Sequence, residues 1–135
     1  MVRLALTRLG VDGDGIEALG FLSQDALTEE LLAAKALVAP SLGGESFGMV
    51  LTRGFGCATP VAASDISGYR DVMTDETGVL VPPGDPAALA GAVEGLLADE
   101  ERRERLGAGA RRVAEERYAW DGIARRLAAI YEELA

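Results

Sequence analysis

Three short aliphatic runs, each followed by a segment long enough to hold a helix or a helical turn, constrain this chain more than any other feature. They are Ala36-Leu-Val-Ala-Pro40, Pro60-Val-Ala-Ala-Ser64 and Gly78-Val-Leu-Val-Pro-Pro83. A continuous apolar run bounded by turn residues reads as a strand buried on both faces, and such strands belong to parallel sheets covered by helices. The alternation of strand and helix predicts an α/β fold, a Rossmann-like three-layer parallel sheet of about four or five strands flanked by helices. Further strands are expected at Val2–Leu6 and Ile16–Leu22. Gly10–Gly15 reads as the turn between them, and its Asp12 and Asp14 do not match a calcium-binding loop.

The helices announce themselves by caps and periodicity. Asp25 to Lys35 is expected to be helical, capped by Ser23 or Asp25, with Leu27, Leu31 and Ala34 on one face. A helix is predicted from Glu45 to Phe55, and Ser67 to Met73 is long enough for one turn. Asp85-Pro86 opens another helix, with an Asp cap and Pro in the first turn, and Leu89, Val93, Leu96 and Leu97 form its apolar face. Glu100 to Tyr118 alternates Arg with acids, the pattern of a solvated face laced with pairs four residues apart. In the last helix, Tyr118 to Ala135, the residues Trp120, Ile123, Leu127, Ile130 and Leu134 make an amphipathic stripe. It is expected either to fold back on the domain or to drive self-association.

Bulk properties narrow the chemistry. The 135 residues amount to one domain, and with 49% hydrophobic but only 5% aromatic residues the core must be aliphatic. The net charge of −9 repels nucleic acid and anionic membranes at long range, so nucleic acid is not an expected partner. There is no His, which removes the Ser-His-Asp triad and most zinc sites. The single Cys57 is expected to be a small buried residue, in keeping with a reducing cytoplasm. No stretch reaches the ~20 apolar residues that span a bilayer, so no direct membrane insertion is expected.

The segment that carries chemistry is Pro40-Ser-Leu-Gly-Gly-Glu-Ser-Phe-Gly-Met-Val-Leu51. A strand ends, glycines follow and a helix begins, which puts backbone N–H groups at the carboxyl end of a parallel strand. The first N–H groups of a helix lack intrahelical partners and attract phosphate. Gly43, Gly44 and Gly48 permit close approach of a ligand. Two readings of Glu45 stand side by side: it accepts hydrogen bonds from sugar hydroxyls, or it serves the helix as a cap or dipole partner.

That segment, followed by Thr59-Pro-Val-Ala-Ala-Ser-Asp-Ile-Ser-Gly-Tyr-Arg-Asp-Val72 and Gly78-Val-Leu-Val-Pro-Pro-Gly-Asp85, resembles the C-terminal domain of group 1 (family 4 type) retaining glycosyltransferases of the GT-B fold. The phosphatidylinositol mannosyltransferases are similar here. The likeness runs from about Gly20 to the C-terminus, with residues 1–19 poorly matched and residues 119–135 forming the amphipathic helix. The resemblance implies a single truncated donor-binding domain and transfer of a hexose from a UDP- or GDP-sugar with retention of configuration. It implies no cofactor and no metal. It places Gly43, Gly44, Glu45 and Ser46 at the donor sugar, with Glu45 as the catalytic-site carboxylate. Phe47, Gly48, Met49, Val50 and Leu51 meet the diphosphate, chiefly through backbone N–H groups. Leu22, Ser23, Gln24 and Leu27 are implied at the nucleobase.

Two departures from the family pattern shape the expected function. A second Glu that binds ribose is implied eight positions after Glu45, where this chain has Arg53. Arg donates hydrogen bonds but accepts none, so it cannot grip a vicinal diol as a carboxylate does. The family's acceptor-binding N-terminal domain is also missing from this sequence, and neither Arg3 nor Arg8 matches the Arg and Lys that neutralise the diphosphate. The isolated chain is therefore expected to be inactive, and active only when joined to that domain. A catalytically inactive nucleotide-sugar-binding or regulatory module is the alternative. A cytoplasmic location is expected, peripheral to the membrane in the full-length enzyme.

Overall fold

A computed structural model of the chain describes residues 15–134. The expected strand at 2–6, most of the turn at 10–15, and Arg3 and Arg8 lie outside the described residues. Helix α1, Gln24–Ala33, is capped by Ser23, whose hydroxyl accepts from the Ala26 N–H at 3.2 Å. Strand β1, Leu37–Ala39, leads through a loop to α2, Met49–Gly56, and then to β2, Val61–Ser64. The single turn α3, Ser67–Arg70, precedes β3, Gly78–Val81. Helices α4, Pro86–Ala98, and α5, Glu100–Val113, follow; a π-helical turn, Ala114–Tyr118, then leads to α6, Trp120–Leu134.

The three strands form a parallel sheet in the order β1-β2-β3, with Leu37 beside Val61 and Val61 beside Gly78. The α/β class is as expected, but the sheet holds three strands among the described residues, not four or five. Ile16–Leu22 is not a strand. Its side chains are largely exposed, with Ile16 at 51% and Phe21 fully in solvent, and Gly20 takes a positive φ of 69° that breaks the extended run. Among the described residues no strand lies beside it, and an apolar run without such a neighbour has no ladder to join.

Central β2 is buried along its length, and its side chains alternate between two cores as a pleated strand requires. Val61 and Ala63 face Leu51 and Phe55 of α2, Tyr69 of α3, and Ala110 and Val113 of α5. Ala62 faces Leu96 of α4 and Leu106 of α5. Helix α5 thus serves both cores. Its outer face carries the expected pairs, Arg105–Glu101 at 3.2 Å and Arg111–Glu115 at 2.7 Å. Its inner face is buried through small residues: a Cβ on Gly107 or Gly109 would collide with the carbonyl oxygen of Ala58 or Glu76. Arg103 is not merely solvated either, since it donates to the Leu96 and Leu97 carbonyls at the end of α4.

Asp85 caps α4 as its sequence predicts, accepting from the Ala88 N–H at 2.9 Å. On the predicted face of α4, Leu96 is buried and Leu97 is 49% exposed. In α1 only Leu31 is buried. Cys57 is half-buried, because it closes α2 as its C-cap at the rim of the fold. Helix α6 buries none of its residues. Apart from the half-buried Ile123 its stripe stays open, with Trp120 at 81% and Leu134 at 79%, so it does not fold back on the domain core.

Candidate functional site

The loops after β1, β2 and β3 all leave the carboxyl edge of the sheet, beyond Ala39, Ser64 and Val81. Open α/β sheets bind ligands at this edge. A cleft of about 230 Å³ lies there, walled by Pro40, Leu42, Ser64, Val81, Pro82 and Leu89. The sequence pointed to the loop after β1 but not to the Pro82–Asp85 side of this cleft, because those residues read only as the end of a strand and the cap of a helix.

The loop after β1 contains Gly43, Gly44 and Gly48 with φ of 155°, 80° and 71°. Gly48 is the N-cap of α2, so the helix begins at Met49, later than the expected start at Glu45. A left-handed residue interrupts helical dihedrals, which leaves Glu45, Ser46 and Phe47 in the loop. Glu45 is exposed and does not cap α2: the cap residue is Gly48, without a side-chain bond. The N–H groups of Met49 and Val50 open the helix and have no acceptor within it. The Leu51 N–H is engaged with the Gly48 carbonyl at 2.9 Å, and its side chain is fully buried. Phe47 packs edge-on against Tyr118, ring centres 5.6 Å apart.

The loop rests on α3. Tyr69, 1% exposed, shares a hydrogen bond of 2.9 Å with the Ser41 hydroxyl. A Cβ on Gly48 would stand 2.7 Å from the Tyr69 ring, and one on Gly68 would collide with the Glu45 carbonyl oxygen. These residues were inside the second resembling block, yet nothing in their spacing announced contact with the first. Beside them Arg70 donates from Nη2 to the Asp65 carbonyl at 2.9 Å and from Nε to the Asp65 carboxylate. That hydrogen bond, aided by the guanidinium charge, holds the Asp65 carboxyl below its ordinary pKa.

The remaining predicted residues belong to α2 and to the start of α1. Arg53 is exposed and lines a groove of about 300 Å³ with Thr52, Gly56, Arg111, Glu115 and Tyr118. Arg111 is already paired there with Glu115 and the Gly56 carbonyl. Leu22, Ser23, Gln24 and Leu27 gather at the start of α1, where Leu22 and Leu27 are half-buried and Gln24 is exposed. The Ser23 hydroxyl is committed to its own helix. No group of three or more potential metal ligands occurs among the described residues.

Comparison with known proteins gives the same outline. Residues 12–113 match the family described as "Glycosyl transferases group 1". The chain is 42% identical over 122 residues to the phosphatidyl-myo-inositol mannosyltransferase of Mycobacterium leprae, covering 89% of this chain and 32% of that protein. Its structure is similar to sucrose-phosphate synthase from Thermosynechococcus elongatus, with a TM-score of 0.87, 33% identity, and coverage of 98% of this chain and 33% of that one. Anabaena HepE, solved in complex with UDP, shares the fold at a TM-score of 0.87 and 22% identity, over 98% of this chain and 36% of its own. The chain spans about a third of the length of these relatives. No helix among the described residues is long and apolar enough to cross a membrane.

Proposed function

Because the chain belongs to the group 1 glycosyl transferases, with a GT-B type fold, we propose that it binds the nucleotide-sugar donor of a retaining hexosyltransferase. The single observation that carries this reading is the loop from Ser41 to Gly48, which delivers the open N–H groups of Met49 and Val50 to the carboxyl edge of the sheet. The diphosphate sits at these N–H groups and the positive end of the α2 dipole. Glu45, on the same loop and exposed, accepts hydrogen bonds from the sugar hydroxyls and fixes the sugar over the cleft. The nucleobase lies toward Leu22–Leu27. HepE, which carries UDP in its solved complex, supports a UDP-sugar, and the mannosyltransferase relative supports a hexose. No metal takes part in this reading.

The acceptor and part of the electrostatic stabilisation of the leaving diphosphate come from a second domain, corresponding to the rest of the relatives' length. The isolated chain then binds donor without transferring sugar. The full-length enzyme works in the cytoplasm, at the membrane surface. The open stripe of α6 seats a second copy of the chain or that second domain. Arg53 favours a second reading, a module that binds nucleotide-sugar without catalysis, because a guanidinium cannot hold the ribose diol as a carboxylate would.

Titration with UDP, GDP and ADP, each with and without an attached sugar, tests the proposal by amide NMR. Shifts concentrated on Gly43 to Val50, with one preferred base and a larger response to the sugar nucleotide, are expected. No shifts at millimolar ligand would remove the donor site from this chain.

A further inference from the structure

We infer that Tyr69 is a positioning residue for the donor-sugar loop, a buried clamp that grips the loop at both ends. The inference rests on the donor-site reading above and deepens it. The loop begins at Ser41, directly after the strand-ending Pro40, and ends at Gly48, the cap of α2. Tyr69 meets both ends. Its hydroxyl is hydrogen-bonded to Ser41 Oγ at 2.9 Å, and its ring fills the space where a Cβ of residue 48 would stand. Between these points Gly68 lies against the Glu45 carbonyl.

The clamp itself is rigid. The Tyr69 N–H donates to the Ile66 carbonyl at 3.0 Å, and the Tyr69 carbonyl accepts from Val72 and Met73 at 3.1 and 2.8 Å. Its ring belongs to the main core beside Leu51 and Phe55. Phe would fill that space equally well, so packing does not account for the hydroxyl. A hydroxyl taken into a core must keep a partner, and Ser41 is the partner. The middle of the loop stands in open space: Gly43 and Gly44 would meet nothing within 4 Å even with a Cβ added. Glycines lose the most backbone freedom on ordering. Anchoring both ends limits the conformations from which Glu45 must be recruited, so part of the ordering cost is met before the sugar arrives.

Tyr69→Phe and Ser41→Ala each remove the hydrogen bond and leave the ring in place. In the free chain, the heteronuclear NOE of the Gly43, Gly44, Glu45 and Ser46 amides is expected to fall in either variant, and no further in the double variant. Unchanged values would overturn the clamp whatever the ligand. Affinity is then measured by calorimetry with UDP, UDP-glucose, GDP and GDP-mannose. The sugar nucleotide that binds wild type is expected to weaken about two- to tenfold in Tyr69→Phe, while the bare nucleotide holds its affinity. Equal weakening of both would assign Tyr69 to stability alone and overturn its role toward the sugar. If wild type fails to distinguish a sugar nucleotide from its nucleotide, the donor-site reading falls, and the NOE result still decides whether the loop is clamped.

Discussion

Gly68 lies against the carbonyl oxygen of Glu45, so closely that no side chain fits between α3 and the loop that carries the candidate catalytic carboxylate. Gly68→Ala must therefore push the loop or α3 aside, and overpacking of this kind costs ~1–3 kcal/mol. The helical Gly91 is its counterpart, since a Cβ there meets nothing within 4 Å. Gly91→Ala is expected to stabilise by about 0.5–1 kcal/mol. Denaturant unfolding of the two variants should give opposite signs; the same sign for both would contradict the contact.

Arg53 stands where relatives of this sequence type are expected to carry a ribose-binding Glu. Arg53→Glu is expected to raise nucleotide-sugar affinity about tenfold, or roughly 1.4 kcal/mol, because it restores an acceptor for the diol. Calorimetry decides. A loss of affinity would instead make Arg53 a working contact to phosphate or sugar, and an unchanged value would make it a bystander on the groove it shares with Arg111.

The Asp65–Arg70 pair predicts a pH dependence with a definite sign. Its carboxyl titrates below the ordinary value because Arg70 donates a hydrogen bond to the charged form and adds a favourable charge. A depressed carboxyl pKa contributes stability that is fully present above the unfolded value of about 3.9 and lost as pH falls through the folded one. Both side chains are substantially exposed, 58% for Arg70 and 40% for Asp65, so the contribution is small. In Arg70→Gln the Asp65 midpoint, followed by carboxyl carbon NMR, should move up to the ordinary value. An unmoved midpoint would deny the pair a role in solution.

Helix α6 is expected to contribute to association and not to the stability of the monomer. Trp120→Ser with Leu134→Ser changes residues that are 81% and 79% exposed, and each such surface change is expected to stay within about 0.5 kcal/mol. Wild type should sediment with a mass that rises with concentration, and the double variant as a monomer. Concentration-independent wild-type monomer would rule out self-association through this stripe.

The site was legible in part. The run from Gly43 to Val50 stood out because a strand, glycines and a helix start follow one another within a few residues. The start of α2 was misplaced because a glycine at position 48 fits a helix start, a helix interior or a left-handed cap equally well; the ring of Tyr69 beneath it leaves room only for glycine. The resemblance implied a backbone role for Leu51 at the diphosphate and was silent on its side chain, which α2 turns into the core with Phe55. The small residues of α5 were hidden behind its charges, since a glycine in a helix carries no periodic signal until a backbone is found against it.

The sequence by itself determined the parallel strands β1, β2 and β3 and the helix start at Asp85, and narrowed the cap of α1 to Ser23 or Asp25, because apolar runs and capping side chains act within a few residues of themselves. Tertiary structure alone decided that Ile16–Leu22 forms no strand, that Tyr69 reaches both Ser41 and Gly48, and that α6 stands free of the core. Each of these depends on whether a partner distant in sequence is present in space, and no local pattern encodes that.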